Sequence, residues 1–269
     1  MGEVRVLSQR ALGERIYDMV LNAPEVAASA VAGQFVSVYC HDAEKLLPRP
    51  ISLCGIDRDA GNIRLVYRVT GERAGTEEFS RYRAGDSVRI MGPLGNGFTV
   101  LPHKKAFLIG GGIGVPPMLQ LAKDIKSGLA QGLSGRREEL PEFEIVMGYR
   151  DAGTCLLDEL KVQGDCFVAT EDGSVGARGN VLDAIREYAL DAEVIYACGP
   201  MPMLRALKDY AAEHGLSCYV SMEERMACGI GACLACVCKS TERDEHSNVN
   251  NKRICKDGPV FDATEVSLG

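Results

Sequence analysis

The hydrophobic pattern of this chain changes period once, close to residue 100, and that change divides what it can fold into. Before it come short runs such as GERIYDMVLNA, GQFVSVYCH, RPISLCGID, GNIRLVYRVT and DSVRIMGPLG. Each holds about four to eight β-prone residues between Gly, Pro or Asp signals. About six such strands without long helices predict an N-terminal antiparallel β-barrel. One helical insertion is expected over residues 76–83, with Thr76 as N-cap and Glu77 and Glu78 in the first turn. From Lys105 the pattern alternates. AFLIGGG, EFEIVMGYR, DCFVATEDG and AEVIYACGP read as strands, and PPMLQLAKDIKSGLA, CLLDELKVQ, VLDAIREYAL and MPMLRALKDYAAEHG read as the helices between them. That alternation predicts an α/β domain with a parallel sheet and helices on both faces. The expected division is a barrel over residues 1–101, a parallel-sheet domain over 102–215 and a small C-terminal module over 216–269.

The C-terminal module is defined by Cys228, Cys233, Cys236 and Cys255, in ERMACGIGACLACVCKS and RICKDGP. Their spacing, C-x4-C-x2-C and then a distant fourth cysteine, is the order that encloses a 2Fe–2S cluster. Glycines and alanines at 229, 231, 232 and 235 leave the loop backbone free to turn its N–H groups toward the sulfurs. A zinc knuckle is the alternative, although zinc sites usually pair two C-x2-C units and this segment has one. Cys238 could shift the register by replacing Cys236, at the expense of the spacing, and reads instead as a neighbouring thiol. The polar stretch STERDEHSNVNNKR between the third and fourth ligands predicts a hairpin or loop.

Charge narrows the partners. A net charge of −7 and a pI near 5.3 provide no basic surplus to neutralise phosphates, which excludes a nucleic-acid binder. Eleven cysteines and a first segment whose charges leave no apolar leader point to a reducing, cytoplasmic setting. Residues 107–122 form the longest apolar candidate span. Glycines at 110–112 and 114 and prolines at 116 and 117 interrupt it, so no membrane segment is expected.

Two motifs of the second domain suggest a nucleotide. GGGIGVPP lies between a strand and a helix, where Gly111, Gly112 and Gly114 let backbone approach a pyrophosphate at the helix N-terminus. Cys198, Gly199 and Pro200 of ACGPMPML end the last strand, on the edge where open parallel sheets bind ligands. A glycine turn and a packed thiol are the simpler readings of each motif alone. In the barrel, Arg49 of RPIS carries a fork of donors suited to phosphate, and Ser52 could donate to a polar ring atom. Gly75 and Thr76 open the inserted helix and present another set of N–H groups to an anion.

The order RPIS, GT before a helix, GPLGNGF, GGGIGVPP and CGPMPM resembles the ferredoxin-NADP reductase superfamily. The appended EERMACGIGACLACVC and RICKDGPVF are similar to electron-transfer subunits of NAD-dependent dihydroorotate dehydrogenases. The resemblance covers essentially the whole chain and implies FAD on the barrel and a nicotinamide nucleotide on the parallel domain. It implies that Arg49 binds the FAD pyrophosphate, that Pro50, Ile51, Ser52, Tyr67, Arg68 and Val69 line the flavin, and that Gly75 and Thr76 hold its phosphates. It further implies that Cys228, Cys233, Cys236 and Cys255 hold the cluster. Many relatives carry tyrosine where this chain has Ile51, and GERAGT is longer than the usual turn. The implied partner is an FMN-containing dihydroorotate dehydrogenase catalytic subunit, in a heterotetramer of two copies each. Electrons would run from its FMN through the cluster and FAD to NAD⁺, the co-substrate. No general acid or base is implied: the four histidines, at 41, 103, 214 and 246, sit in no catalytic motif. Two rivals share the residues. One is an NAD(P)H reductase serving ferredoxin or an electron-bifurcating complex, and Arg150 beside Asp151 leaves NAD against NADP open. The other is a zinc-stapled docking module. Met222, Met226, Ile230 and Leu234 flank the cysteines and could either cover a cluster or form an interface.

Overall fold

The computed structural model describes residues 1–243 and 248–269. Strands β1 (Gly2–Gly13) and β2 (Ile16–Asn22) form a hairpin, followed by a short helix α1 (Pro24–Ser29). Then come β3 (Phe35–Tyr39), β4 (Arg49–Asp57), β5 (Asn62–Arg68), helix α2 (Gly75–Phe79) and β6 (Ser87–Leu94). These six strands close into an antiparallel barrel in the order β1-β2-β5-β4-β3-β6. Alternation decides its interior. Val36, Val38, Leu53, Ile63 and Leu65 point inward and are fully buried, with Phe79 of α2 plugging one end.

The second domain runs β7 (Ala106–Gly111), α3 (Val115–Ser127), β8 (Phe143–Tyr149), α4 (Leu157–Lys161), β9 (Cys166–Thr170) and β10 (Ala177–Arg178). It continues through α5 (Val181–Glu187), β11 (Val194–Cys198), α6 (Met201–His214) and β12 (Ser217–Ser221). β7 is buried along its whole length because helices cover both faces, which is why its sequence is uninterrupted apolar residues and glycine. Asn180 caps α5: its side chain accepts from the Leu182 N–H at 2.9 Å, and Asp183 accepts from the Asn180 N–H at 2.8 Å. Beyond this lie β13 (Val237–Lys239), β14 (Asn251–Arg253) and β15 (Val260–Asp262). β13 and β14 pair antiparallel, so the stretch between the third and fourth cysteines is a hairpin. Its residues 244–247, including His246, lie outside the described residues.

The large sheet has the order β10-β9-β8-β7-β11-β12-β15. All neighbours run parallel except β15, which pairs antiparallel with β12. Thus β12 and β15, both inside the segment 216–269, complete the sheet of the nucleotide-type domain. Among the described residues, no helix is long and apolar enough to cross a membrane.

The inserted helix departs from expectation. It spans Gly75–Phe79 with Ala74 at its N-cap, so Thr76 is not the cap. The Thr76 hydroxyl instead accepts from the Thr70 N–H at 3.3 Å, tying the turn back to the end of β5.

Two polar contacts fix the barrel against the sheet domain. Arg64 of β5 donates to Asp18 at 2.8 Å and 2.9 Å and to Glu159 of α4 at 2.6 Å and 2.8 Å. Gln120 of α3 accepts from the Ile56 N–H of β4 at 2.7 Å and donates to the buried Asp124 at 2.7 Å. Helix α3 begins at the glycine loop and β4 begins at Arg49, so this contact sets one motif against the other.

Candidate functional site

Where β4 leaves the loop after β3, a cavity of about 640 Å³ opens, lined by Arg49, Pro50, Ile51, Ser52, Tyr67, Arg68 and Thr76. Arg49 is oriented by its own loop, its Nη1 donating to the Leu47 carbonyl at 2.5 Å. Beneath the guanidinium lies Gly75. A Cβ there would stand 2.7 Å from Cys40 Sγ and 2.9 Å from Arg49 Nε, so only glycine lets this turn and Arg49 share the space. Burial, with the Glu78 carboxylate adding to it, pushes the Cys40 thiol up to about 11. The thiol therefore stays neutral at physiological pH and sets no negative charge beside Arg49, which lines the cavity together with Arg68 and Arg225. A half-buried arginine fork over an unobstructed turn suits a pyrophosphate.

Placement differs among the other barrel residues. Pro50 and Ser52 face outward from the barrel, whereas Ile51 and Tyr67 are packed into its core. Tyr67 stacks on Tyr17 with centroids 6.0 Å apart and donates to Gln9 at 3.1 Å. Val69, expected on the flavin wall, does not line the cavity. It is buried in the barrel, with its N–H donating to the Arg15 carbonyl at 2.8 Å.

A second cavity, about 780 Å³, lies at the carboxyl ends of the parallel strands and is lined by Gly111, Gly112, Tyr149, Arg150, Asp151, Glu171 and Pro200. The two motifs predicted to meet do so. A Cβ on Gly114 would sit 2.1 Å from the Cys198 carbonyl oxygen and 2.6 Å from the Gly199 nitrogen. Gly114 and Gly199 therefore build the floor rather than the lining. Cys198 is fully buried with its thiol bonded to Ser221, and burial pushes that thiol far up. The glycine loop separates the two cavities, Gly112 facing one and Ile113 the other, and Arg68 borders both.

The remaining wall of the first cavity is residues 221–226, the chain that runs from β12 to Cys228. Burial in that wall raises the Glu223 carboxyl, with the Arg68 guanidinium working against it. The cysteines follow at once and meet as two pairs. All four are free thiols, Cys228 within hydrogen-bond reach of Cys233 and Cys236 within reach of Cys255. Backbone N–H groups aim at their sulfurs: Gly231 donates to Cys255 at 3.1 Å, Ala232 to Cys228 at 3.3 Å and Cys255 to Cys236 at 3.4 Å. Burial opposes ionisation of Cys228, but the N–H groups of Ile230, Cys233 and Ala232 and the Cys233 thiol outweigh it and bring Cys228 down to about 6. Among the described residues, no three His, Cys, Asp or Glu side chains converge on a single metal position. Two thiolates for each of two irons fit this arrangement, whereas zinc requires four donors around one point. Cys238 lies in β13, its register fixed by pairing with Lys252, outside both pairs.

A family model described as the oxidoreductase FAD-binding domain matches residues 5–98. Another, described as the iron-sulfur cluster binding domain of dihydroorotate dehydrogenase B, matches residues 223–267. The dihydroorotate dehydrogenase B (NAD(+)) electron transfer subunit of Listeria monocytogenes is 40% identical over 270 residues, covering 99% of this chain and 98% of its own. The chain belongs to the dihydroorotate dehydrogenase B electron-transfer subunit family. Its counterpart from Geobacillus kaustophilus is 41% identical over 268 residues, covering 98% of this chain and 97% of its own. Among solved structures, an NADH-dependent reduced ferredoxin-NADP oxidoreductase superposes with a TM-score of 0.84 at 26% identity, covering 100% of this chain and 91% of its own. Phthalate dioxygenase reductase, at TM-score 0.64 and 17% identity over 94% of each chain, shares the fold.

Within that family frame, sequence reasoning missed the wall formed by residues 221–226 and the shared position of Arg68. The first was legible in principle: a segment immediately before a cluster loop has to approach whatever exchanges electrons with it. The second needed the two domains to be docked. The four apolar residues flanking the cysteines divide cleanly. Met222 and Met226 are buried, while Ile230 is 58% and Leu234 57% exposed.

Proposed function

We propose that this chain is the electron-transfer subunit of an NAD-linked dihydroorotate dehydrogenase, joining a catalytic subunit to NAD⁺. The observation that carries this reading is the continuity of the three sites. One cavity is walled by the RPIS strand and by the segment entering Cys228, and it shares Arg68 with the nucleotide cavity. Arg49, Gly75 and Thr76 hold the FAD pyrophosphate, and Ser52 approaches the edge of the ring. Bound there, FAD exchanges two electrons with a nicotinamide and one with an iron–sulfur centre, which is the conversion such a relay requires. Gly111, Gly112 and Pro200 receive the nicotinamide nucleotide. Asp151 and Glu171 on the same wall favour free ribose hydroxyls over a phosphate, in keeping with NAD. Cys228, Cys233, Cys236 and Cys255 hold the 2Fe–2S cluster, and the chain's own task is positioning rather than acid–base chemistry.

The partner in this reading is an FMN-containing dihydroorotate dehydrogenase subunit, two copies of each chain forming a cytoplasmic heterotetramer. Cys233 is exposed and is flanked by the exposed Ile230, Leu234 and Val237, an apolar rim suited to burial against that subunit. Purification of the tagged chain under anaerobic conditions with its bound partner tests the proposal. Dihydroorotate-dependent reduction of NAD⁺ that vanishes when the partner is removed supports it. A complex that carries flavin and cluster and oxidises NAD(P)H but ignores dihydroorotate overturns it in favour of a ferredoxin-type reductase.

A further inference from the structure

Ser37 lies on β3 between Val36 and Val38, both fully buried in the barrel interior. Its own side chain therefore points to the outer face, opposite Pro50 of β4 on one side and Met91 of β6 on the other. That face is covered by the cysteine loop, and Ser37 is 0% exposed. Gly229, the residue after Cys228, is the covering group. A Cβ on it would come within 2.8 Å of Met91 Cε and 3.3 Å of Ser37 Oγ, and its φ of +70° belongs to glycine.

In this enclosure Ser37 Oγ has no hydrogen-bond partner. The same is true of Glu144 Oε2 among the described buried side-chain atoms, but that carboxylate is engaged through its other oxygen by Lys105. A buried hydroxyl left unsatisfied costs on the order of 1–3 kcal/mol, so its retention calls for an acceptor. The segment that covers it belongs to a cysteine cluster where N–H groups already aim at sulfur: those of Gly231, Ala232, Cys233 and Cys255.

We propose that Ser37 donates its hydroxyl proton to an inorganic sulfide of the iron–sulfur cluster, no cysteine sulfur among the described residues being its partner, and so raises the cluster's reduction potential. The inference rests on the four cysteines holding that cluster. Hydrogen bonds to cluster sulfurs favour the reduced, more negative state. Ser37 is the donor supplied by the barrel rather than by the cysteine loop. It pairs with the strand that begins at Arg49, so the group tuning the cluster is carried by the same sheet that binds the flavin.

The test is a redox titration of the reconstituted full chain, followed by electron paramagnetic resonance, with Ser37→Ala against the unaltered protein. Held at the unaltered protein's midpoint, the reduced-to-oxidised ratio of the cluster is expected to fall about fivefold, the factor carried by one net hydrogen bond. The flavin midpoint should not move. Ser37→Cys, a somewhat larger side chain with a weaker donor, should fall in between, and it replaces the alanine variant if that one does not load. A cluster midpoint unchanged in the loaded variants overturns the proposal and leaves Ser37 as a small residue that makes room for the loop. Iron, acid-labile sulfide and the resonance signal of the unaltered protein test the four-cysteine assignment separately.

Discussion

Gly75→Ala isolates the phosphate cradle. The substitution places a methyl group 2.9 Å from Arg49 Nε and 2.7 Å from Cys40 Sγ, where carbon contacts of about 3.5–4.0 Å are normal. Cys40 is buried directly after β3, so the guanidinium must retreat by close to an ångström and lose its alignment on the pyrophosphate. One charge-assisted hydrogen bond is worth about 1.5–3 kcal/mol, which predicts a rise in the FAD dissociation constant of roughly 10- to 150-fold. Gly71→Ala is the matched control in the same loop: a Cβ at Gly71 meets nothing within 4 Å. Neither glycine has a positive φ, so backbone strain does not separate the two variants. Gly75 is also the first residue of α2, where alanine favours the helix by up to about 1 kcal/mol. Overpacking against Cys40 opposes that gain, so a thermal melt of each flavin-free variant accompanies the affinity measurement. Fluorescence titration of flavin-free protein with FAD reads the difference. Equal affinities for the two alanine variants would refute Arg49 and Gly75 as the phosphate site.

Gly114→Ala drives a methyl into the Cys198 carbonyl, which is backbone and cannot yield, so soluble protein with an intact nucleotide domain is not expected; limited proteolysis reads this. Cys233→Ser should remove iron from the purified chain, whereas Cys238→Ser should leave iron and sulfide content unchanged. Ile230→Glu, on the exposed rim, should weaken co-purification of the catalytic subunit at least tenfold while NADH still reduces the flavin. Loss of both together would argue against that surface as the interface.

Legibility of the sequence followed local self-sufficiency. β7 and β11 announce themselves because helices cover them on both sides and every position is buried. β1 is the opposite case. Val6 is its single fully buried side chain and Glu3, Arg5 and Arg10 are interleaved, so hydrogen bonding to β2 and β6 defines a strand that hydrophobicity does not. Helix α1 went unread because its six residues, PEVAAS, are too few to display a helical period. Thr76 misled because its hydroxyl is used across a loop rather than for its own helix. The gathering of Cys228, Cys233, Cys236 and Cys255 was readable from spacing, and the two tight turns at Gly75 and Gly114 from glycine placement. What could not be read was anything assembled by docking: Arg68 between two cavities, residues 221–226 as a wall of the barrel cavity, and Ser37 under Gly229.

The antiparallel strand β15 has a consequence for how this molecule can be dissected. It follows the last cysteine ligand by only a few residues and occupies the flank of β12. The iron–sulfur segment is consequently not a detachable cassette appended to a finished reductase. Truncating the chain before Cys228 would bare the β12 edge, presenting unpaired N–H and C=O groups to any neighbouring strand. A shortened flavoprotein made that way would tend to self-associate, whereas point removal of the cysteines keeps the edge covered. Evolutionary loss of the cluster in such a chain would have to preserve the returning strand.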